Sequence, residues 1–183
     1  MLLKLMTRCS TLLVSCLSGL VACSGPEVEN AKIVEKYASL NSSAAKQIKS
    51  TSYENIVKES KIISPKISEI HEAIGLNLIN KPYSKLELQE FVVAQLEKEG
   101  ILPSMAGFKG FPAAIAVSIN DELIHNLPDD TQIQPGSLVT VEIGGATNKA
   151  YAYQSWTYLV PPSSPQHKGL LDSAKKALSN AVD

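Results

Sequence analysis

Apolar residues recur along this chain at two different periods, and the change of period divides it. Over residues 27–49, Ile33, Val34, Tyr37, Ala38, Ala45 and Ile48 keep a loose helical spacing, with Asn41-Ser42-Ser43 as an expected interruption. Thr51-Ser52-Tyr53-Glu54 reads as a capping box with Thr51 as N-cap and Glu54 three residues on. Behind it Ile56, Ile63, Ile67, Ile70, Ile74 and Leu78 form a stripe on one helix face, with a kink or restart expected at Pro65. Asn80-Lys81-Pro82-Tyr83 ends that helix. Ser84-Lys85-Leu86-Glu87 is a second capping box, opening a helix with Leu88, Phe91, Val92 and Leu96 on one face and Gly100 placed to stop it. The period then shortens. Residues 113–120, 138–143 and 151–160 read as strands, with 144–149, carrying Gly144-Gly145 and Asn148, as a hairpin turn between the last two. Leu171, Ala174, Leu178 and Ala181 return to helical spacing over 168–182. Helices, then antiparallel strands, then a helix make an α+β fold, helices packed on a small antiparallel sheet.

Composition adds little until the N-terminus is set apart. The chain has 183 residues, a formal net charge of −1 and 44% hydrophobic residues, enough for one domain with its own core. Lys and Arg are scattered without a basic block, so a nucleic-acid surface is not expected. Lys4 and Arg8 precede an apolar run over residues 9–22 that is short for a membrane span. It ends in Leu20-Val21-Ala22-Cys23. A small residue before Cys, after two aliphatics, resembles the bacterial lipoprotein signal, in which the Cys is lipidated and becomes the first mature residue. The competing reading is an ordinary secretory leader with an incidental Cys.

On the lipoprotein reading the chain divides into a signal peptide (1–22), a tether and N-terminal helix (23–50) and one domain (51–183). Fifteen basic residues then face eighteen acidic ones, a net charge of −3. The cysteines are Cys9, Cys16 and Cys23, so the mature chain has no thiol left for a disulfide, a thiolate metal site or a nucleophile. Lipid on Cys23 makes the membrane a partner. Ser24 rather than Asp follows it, which by resemblance to sorting in Gram-negative bacteria favours the outer membrane, facing the periplasm.

The candidate chemistry lies in GFKGFPAAIAVSINDELIHNLP, residues 107–128. An aromatic turn (Phe108, Lys109, Phe111, Pro112) feeds an apolar strand, then Ser118-Ile119-Asn120, then His125 and Pro128. Residues 135–143, PGSLVTVEI, follow. There is no G-x-S-x-G elbow, phosphate loop or H-E-x-x-H helix. From about Ile62 onward this pattern resembles the methionine aminopeptidases, whose corresponding motifs are Y-H-G-F-P, S-x-N, H-G-x-P and D-G-D-I-V-N-I-D-V.

The resemblance implies half of a pita-bread fold, two pseudo-symmetric halves of helices and antiparallel sheet. It also implies a pair of divalent metals held by two Asp, one His and two Glu. The first Asp falls on Glu142, the only remnant ligand, and the second on Tyr153, a phenol that binds divalent metal poorly. The other three belong to a half with no counterpart here. His125 matches a His that contacts substrate, and Lys109 replaces the family's other His. His71 and His167 are expected in solvent.

The expectation is therefore a lipid-anchored relative without cofactor or catalytic residues. Its old cleft, around Phe108, Lys109, Phe111, His125, Tyr153 and Trp156, would bind a peptide or a protein, as an immunity or inhibitor lipoprotein does. The aromatic last strand is expected to leave an exposed sheet for a second copy or another partner. The alternative is a metal-dependent aminopeptidase that removes N-terminal methionine, completed by a partner chain.

Overall fold

In a computed structural model, residues 25–182 are described. The expected signal peptide over 1–22 and the expected lipidation site Cys23 lie outside the described residues. Among the described residues four helices and four strands follow one another: α1 (Pro26–Lys49), α2 (Tyr53–Asn80), α3 (Lys85–Lys98), β1 (Leu102–Pro103), β2 (Ile115–Ile119), β3 (Leu138–Ala146), β4 (Tyr151–Leu159) and α4 (Pro165–Val182). A 3-10 turn, Phe108–Gly110, lies between β1 and β2. Among the described residues no helix is long and apolar enough to cross a membrane.

β3 is the centre of the sheet. β4 pairs antiparallel along its whole length, from Leu138 opposite Leu159 to Ala146 opposite Tyr151. The other side of β3 is shared by β2, with Glu142 opposite Ala116, and by β1, with Gly145 opposite Pro103. Strand alternation sorts the side chains onto two faces. Val139, Val141 and Ile143 of β3 and Ile115 and Val117 of β2 join one core with Ile63, Ile67, Ile70, Ile74 and Leu78 of α2 and Leu88, Val92 and Leu96 of α3. Glu142, Thr140, Tyr153 and Ser155 stand on the opposite face.

The Ile stripe packs as its period requires, and Pro65 lies inside a continuous α2 rather than at a restart. Ser84 caps α3 with the full reciprocal box: its Oγ accepts from Glu87 N at 3.1 Å, and Ser84 N donates to the Glu87 carboxylate at 2.7 Å. The box expected at Thr51 does not form. Ser52 is the N-cap of α2, without a side-chain cap bond, and Thr51 Oγ1 instead donates back to Gln47 O. α1 also runs unbroken through Asn41-Ser42-Ser43. The reason is that Asn41 faces inward, its amide donating to Pro103 O at 2.9 Å and Ala106 O at 3.0 Å.

Gly144 and Gly145 are strand residues rather than a turn. A Cβ on Gly144 would stand 2.5 Å from Ser104 Oγ, and one on Gly145 would stand 2.7 Å from Ile101 Cγ2 and 2.9 Å from Ile67 Cδ1. The two glycines let chain approach both faces of β3 closely. The reversal comes later, closed by Thr147 N donating to Ala150 O at 3.0 Å.

Candidate functional site

Two strand residues, Glu142 of β3 and Tyr153 of β4, and one loop residue, His125, build the polar centre of the site. Glu142 faces away from the core yet is almost wholly buried, so its carboxylate must be met by donors. His125 N donates to Oε1 at 2.8 Å. His125 Nδ1 lies 2.7 Å from Oε2, and Tyr153 Oη donates to the same oxygen. Because a carboxylate only accepts, the proton of His125 resides on Nδ1, and Nε2 is free of protein hydrogen bonds among the described residues. Burial first, then the bond to Glu142, pushes the Tyr153 phenol well above its usual range, so it remains a donor.

The loop that delivers His125 is held from two sides. His125 has a left-handed backbone, φ 64°, uncommon for a residue with a side chain. Asn126 O accepts from Val117 N at 3.0 Å. Upstream, Lys85 is buried to 1% exposure and donates to Glu122 at 2.6 Å, while the other Glu122 oxygen accepts from Ile119 N at 2.7 Å. Lys85 thereby ties the start of α3 to the turn that follows β2. It carries no signal of this in the sequence, where it reads as a surface residue of a helix start.

Above the carboxylate lies a cavity of about 700 Å³ lined by Ser104, Met105, Phe108, Lys109, Phe111, Pro112, His125, Tyr151 and Tyr153, among others. Five residues expected in a cleft from the sequence, Phe108, Lys109, Phe111, His125 and Tyr153, meet there. Trp156 does not. Its position on β4 has the opposite parity, and its ring stacks on His71 of α2, centroids 4.9 Å apart and planes 5° apart. His71, expected in solvent, is fully buried, with Nδ1 2.6 Å from Tyr158 Oη. Its place in the Ile stripe, one residue after Ile70, is the signal that could have found it. Ser104, Met105 and Tyr151 were not expected; Gly144, by leaving room for Ser104, brings the first two into the wall.

The model of metallopeptidase family M24 matches residues 60–183. This chain belongs to that family. The match leaves α1 and the start of α2 outside it. Among M24 relatives, methionine aminopeptidase 1 of Bacillus subtilis is 33% identical over 95 residues, 52% of this chain and 38% of the relative. The methionine aminopeptidase of Aquifex aeolicus is 30% identical over 138 residues, 71% of this chain and 51% of the relative. The crystal structure of methionine aminopeptidase from Thermotoga maritima superposes with a TM-score of 0.59 at 23% identity, over 70% of this chain and 50% of that one. The fold is thus part of the pita-bread fold, and the chain spans about half the length of such relatives or less.

The family resemblance implies a pair of divalent metals, and the donor set here does not fit them. Both oxygens of Glu142 already accept from protein N–H and O–H groups, and the neighbouring position is a protonated phenol. Among the described residues no cluster of three or more His, Cys, Asp or Glu side chains could hold a metal ion. What the arrangement offers instead is an apolar cavity with a polar floor, the His125 ring half exposed beside it.

Proposed function

We propose that this M24 chain is a non-catalytic binding module that holds a peptide, or a loop of a partner protein, in the cavity between the 3-10 turn and β4. The observation that carries the reading is the engagement of both Glu142 oxygens by His125 and Tyr153. Three donors take three of the roughly four acceptor sites of the carboxylate, so a metal pair could be held there only after some of those hydrogen bonds were broken. Phe108, Phe111, Met105 and Tyr151 supply apolar contact area, and His125 Nε2 and Ser104 supply polar contacts that can fix a backbone, the usual composition of a ligand cleft. Lipid on Cys23 would hold this module at a bacterial membrane, facing the periplasm. An immunity or inhibitor lipoprotein is one form such a module takes. The test is a peptide array probed with the purified chain and with Phe111→Ser and Tyr153→Ala. A shared set of bound sequences, lost in both variants, is expected. Binding that is unchanged in both variants would place the ligand elsewhere and overturn the reading.

A further inference from the structure

Four apolar side chains stand in solvent at the end of the molecule where the described residues begin. Leu123 is 81% exposed, Ile124 65%, and Leu127 and Val28 each 39%. They belong to one end because α1 is tied to the loop that carries them. Asn30, buried in the second turn of α1, donates from its amide to Pro128 O at 2.9 Å and accepts from Gln89 Nε2 at 2.7 Å.

The distance to the N-terminal apolar segment is short. From Cys23 to Gly25 the chain can span at most about 7 Å. From Gly25 to Asn30 a helix rises about 7.5 Å. The apolar run over residues 9–22 ends immediately before Cys23. Acyl chains on Cys23, or the apolar run itself, would therefore hold the 121–128 loop at the surface of the bilayer that anchors the segment.

We infer that this loop is a membrane-contacting tip, with Leu123 and Ile124 inserted into the interfacial zone of a lipid bilayer. The attraction is apolar rather than electrostatic. The neighbouring charges Glu27, Glu29, Asp121, Asp129 and Asp130 are acidic, relieved by Lys32 at 2.7 Å from Glu29 and Lys85 at 3.9 Å from Asp129. The surface therefore fits zwitterionic headgroups. His125 follows Ile124 directly, so one lip of the cavity lies at the bilayer and the ligand is met close to the membrane. The inference rests on attachment of the N-terminal segment and is independent of which ligand the cavity takes.

The test uses the full chain in phosphatidylcholine vesicles with brominated acyl chains. Trp156→Phe removes the only tryptophan. In that background Leu123→Trp reports on the loop, and Ser173→Trp, exposed on α4, is the water-facing control. The Leu123→Trp emission should shift to the blue and be quenched about twofold or more, as for a ring about 5–10 Å into the headgroup–acyl boundary, while the control is not. Adding phosphatidylglycerol should not deepen the quenching. Equal quenching of the two probes in chains that float with the vesicles overturns the inference while leaving the attachment intact. Failure of the chain to float overturns both. Stronger quenching with anionic lipid overturns the apolar account.

Discussion

A buried carboxylate, a buried lysine and a buried imidazole each occupy this fold, and each is tolerated for a different reason. Glu142 is met by three donors. Lys85 is met by the Glu122 carboxylate, with Asp129 further off. Removing Glu122 leaves a buried ammonium without its close partner, whereas Lys85→Met removes the charge and keeps the stem. Glu122→Ala is therefore expected to cost about 3 kcal/mol and Lys85→Met clearly less. Urea unfolding of the two variants checks the order; the reverse order would show that the ion pair is not what holds the turn. His71 is kept neutral. Burial lowers its pKa from 6.5 to about 4. As pH falls, the unfolded chain takes up the proton first, so this contribution is complete above about pH 6.5 and is lost progressively down to about pH 4. At pH 5.5 the loss amounts to about 1 kcal/mol, and at the acid limit to about 3 kcal/mol. His71→Leu should flatten the stability profile between pH 7.5 and 5.5. An unchanged slope in that window would assign it to other groups.

At the scale of elements, much was legible because period and caps are local properties. The Ile stripe of α2, the Ser84 box and the three longer strands needed only neighbours in sequence to be read. What could not be read depended on contacts across the fold. Asn41-Ser42-Ser43 looks like a break, but Asn41 finds two carbonyls of the β1 turn and the helix continues. Gly144-Gly145 has turn composition, but the glycines are needed where Ile67 and Ser104 press on β3. Trp156 and Tyr153 stand three positions apart on one strand, so alternation alone sends the two rings to opposite faces, and only the pairing with β3 decides which of them meets the core. The glycine argument has a direct check. Gly145→Ala puts a methyl group within 3 Å of two isoleucine side chains, and an over-packed core of this kind costs about 1–3 kcal/mol. Thermal unfolding should show the loss, and pairing the change with Ile67→Val should recover part of it. A neutral Gly145→Ala would mean that the sheet and α2 separate more easily than their packing implies.

At the scale of the molecule, this M24 chain spans about half the length of the methionine aminopeptidases it matches and shares their fold over that part, while its own side chains engage the carboxylate at the centre of its cavity wall. α1, outside the family match, braces both sides of that cavity, through Asn30 at Pro128 and Asn41 at Pro103 and Ala106. The resemblance in spacing over residues 107–143 reflects the shared backbone. The placing of Glu142 and Tyr153 opposite the family's metal ligands rests on the resemblance alone, and the hydrogen bond between them was not legible in the sequence, since it depends on the pairing of β3 with β4. Calorimetric titration of Mn²⁺ or Co²⁺ into the purified chain, alongside an assay on a methionine-initiated peptide, tests the central claim most directly. No stoichiometric binding and no turnover are expected. Two metal ions per chain, with binding and turnover both lost in Glu142→Ala, would contradict it.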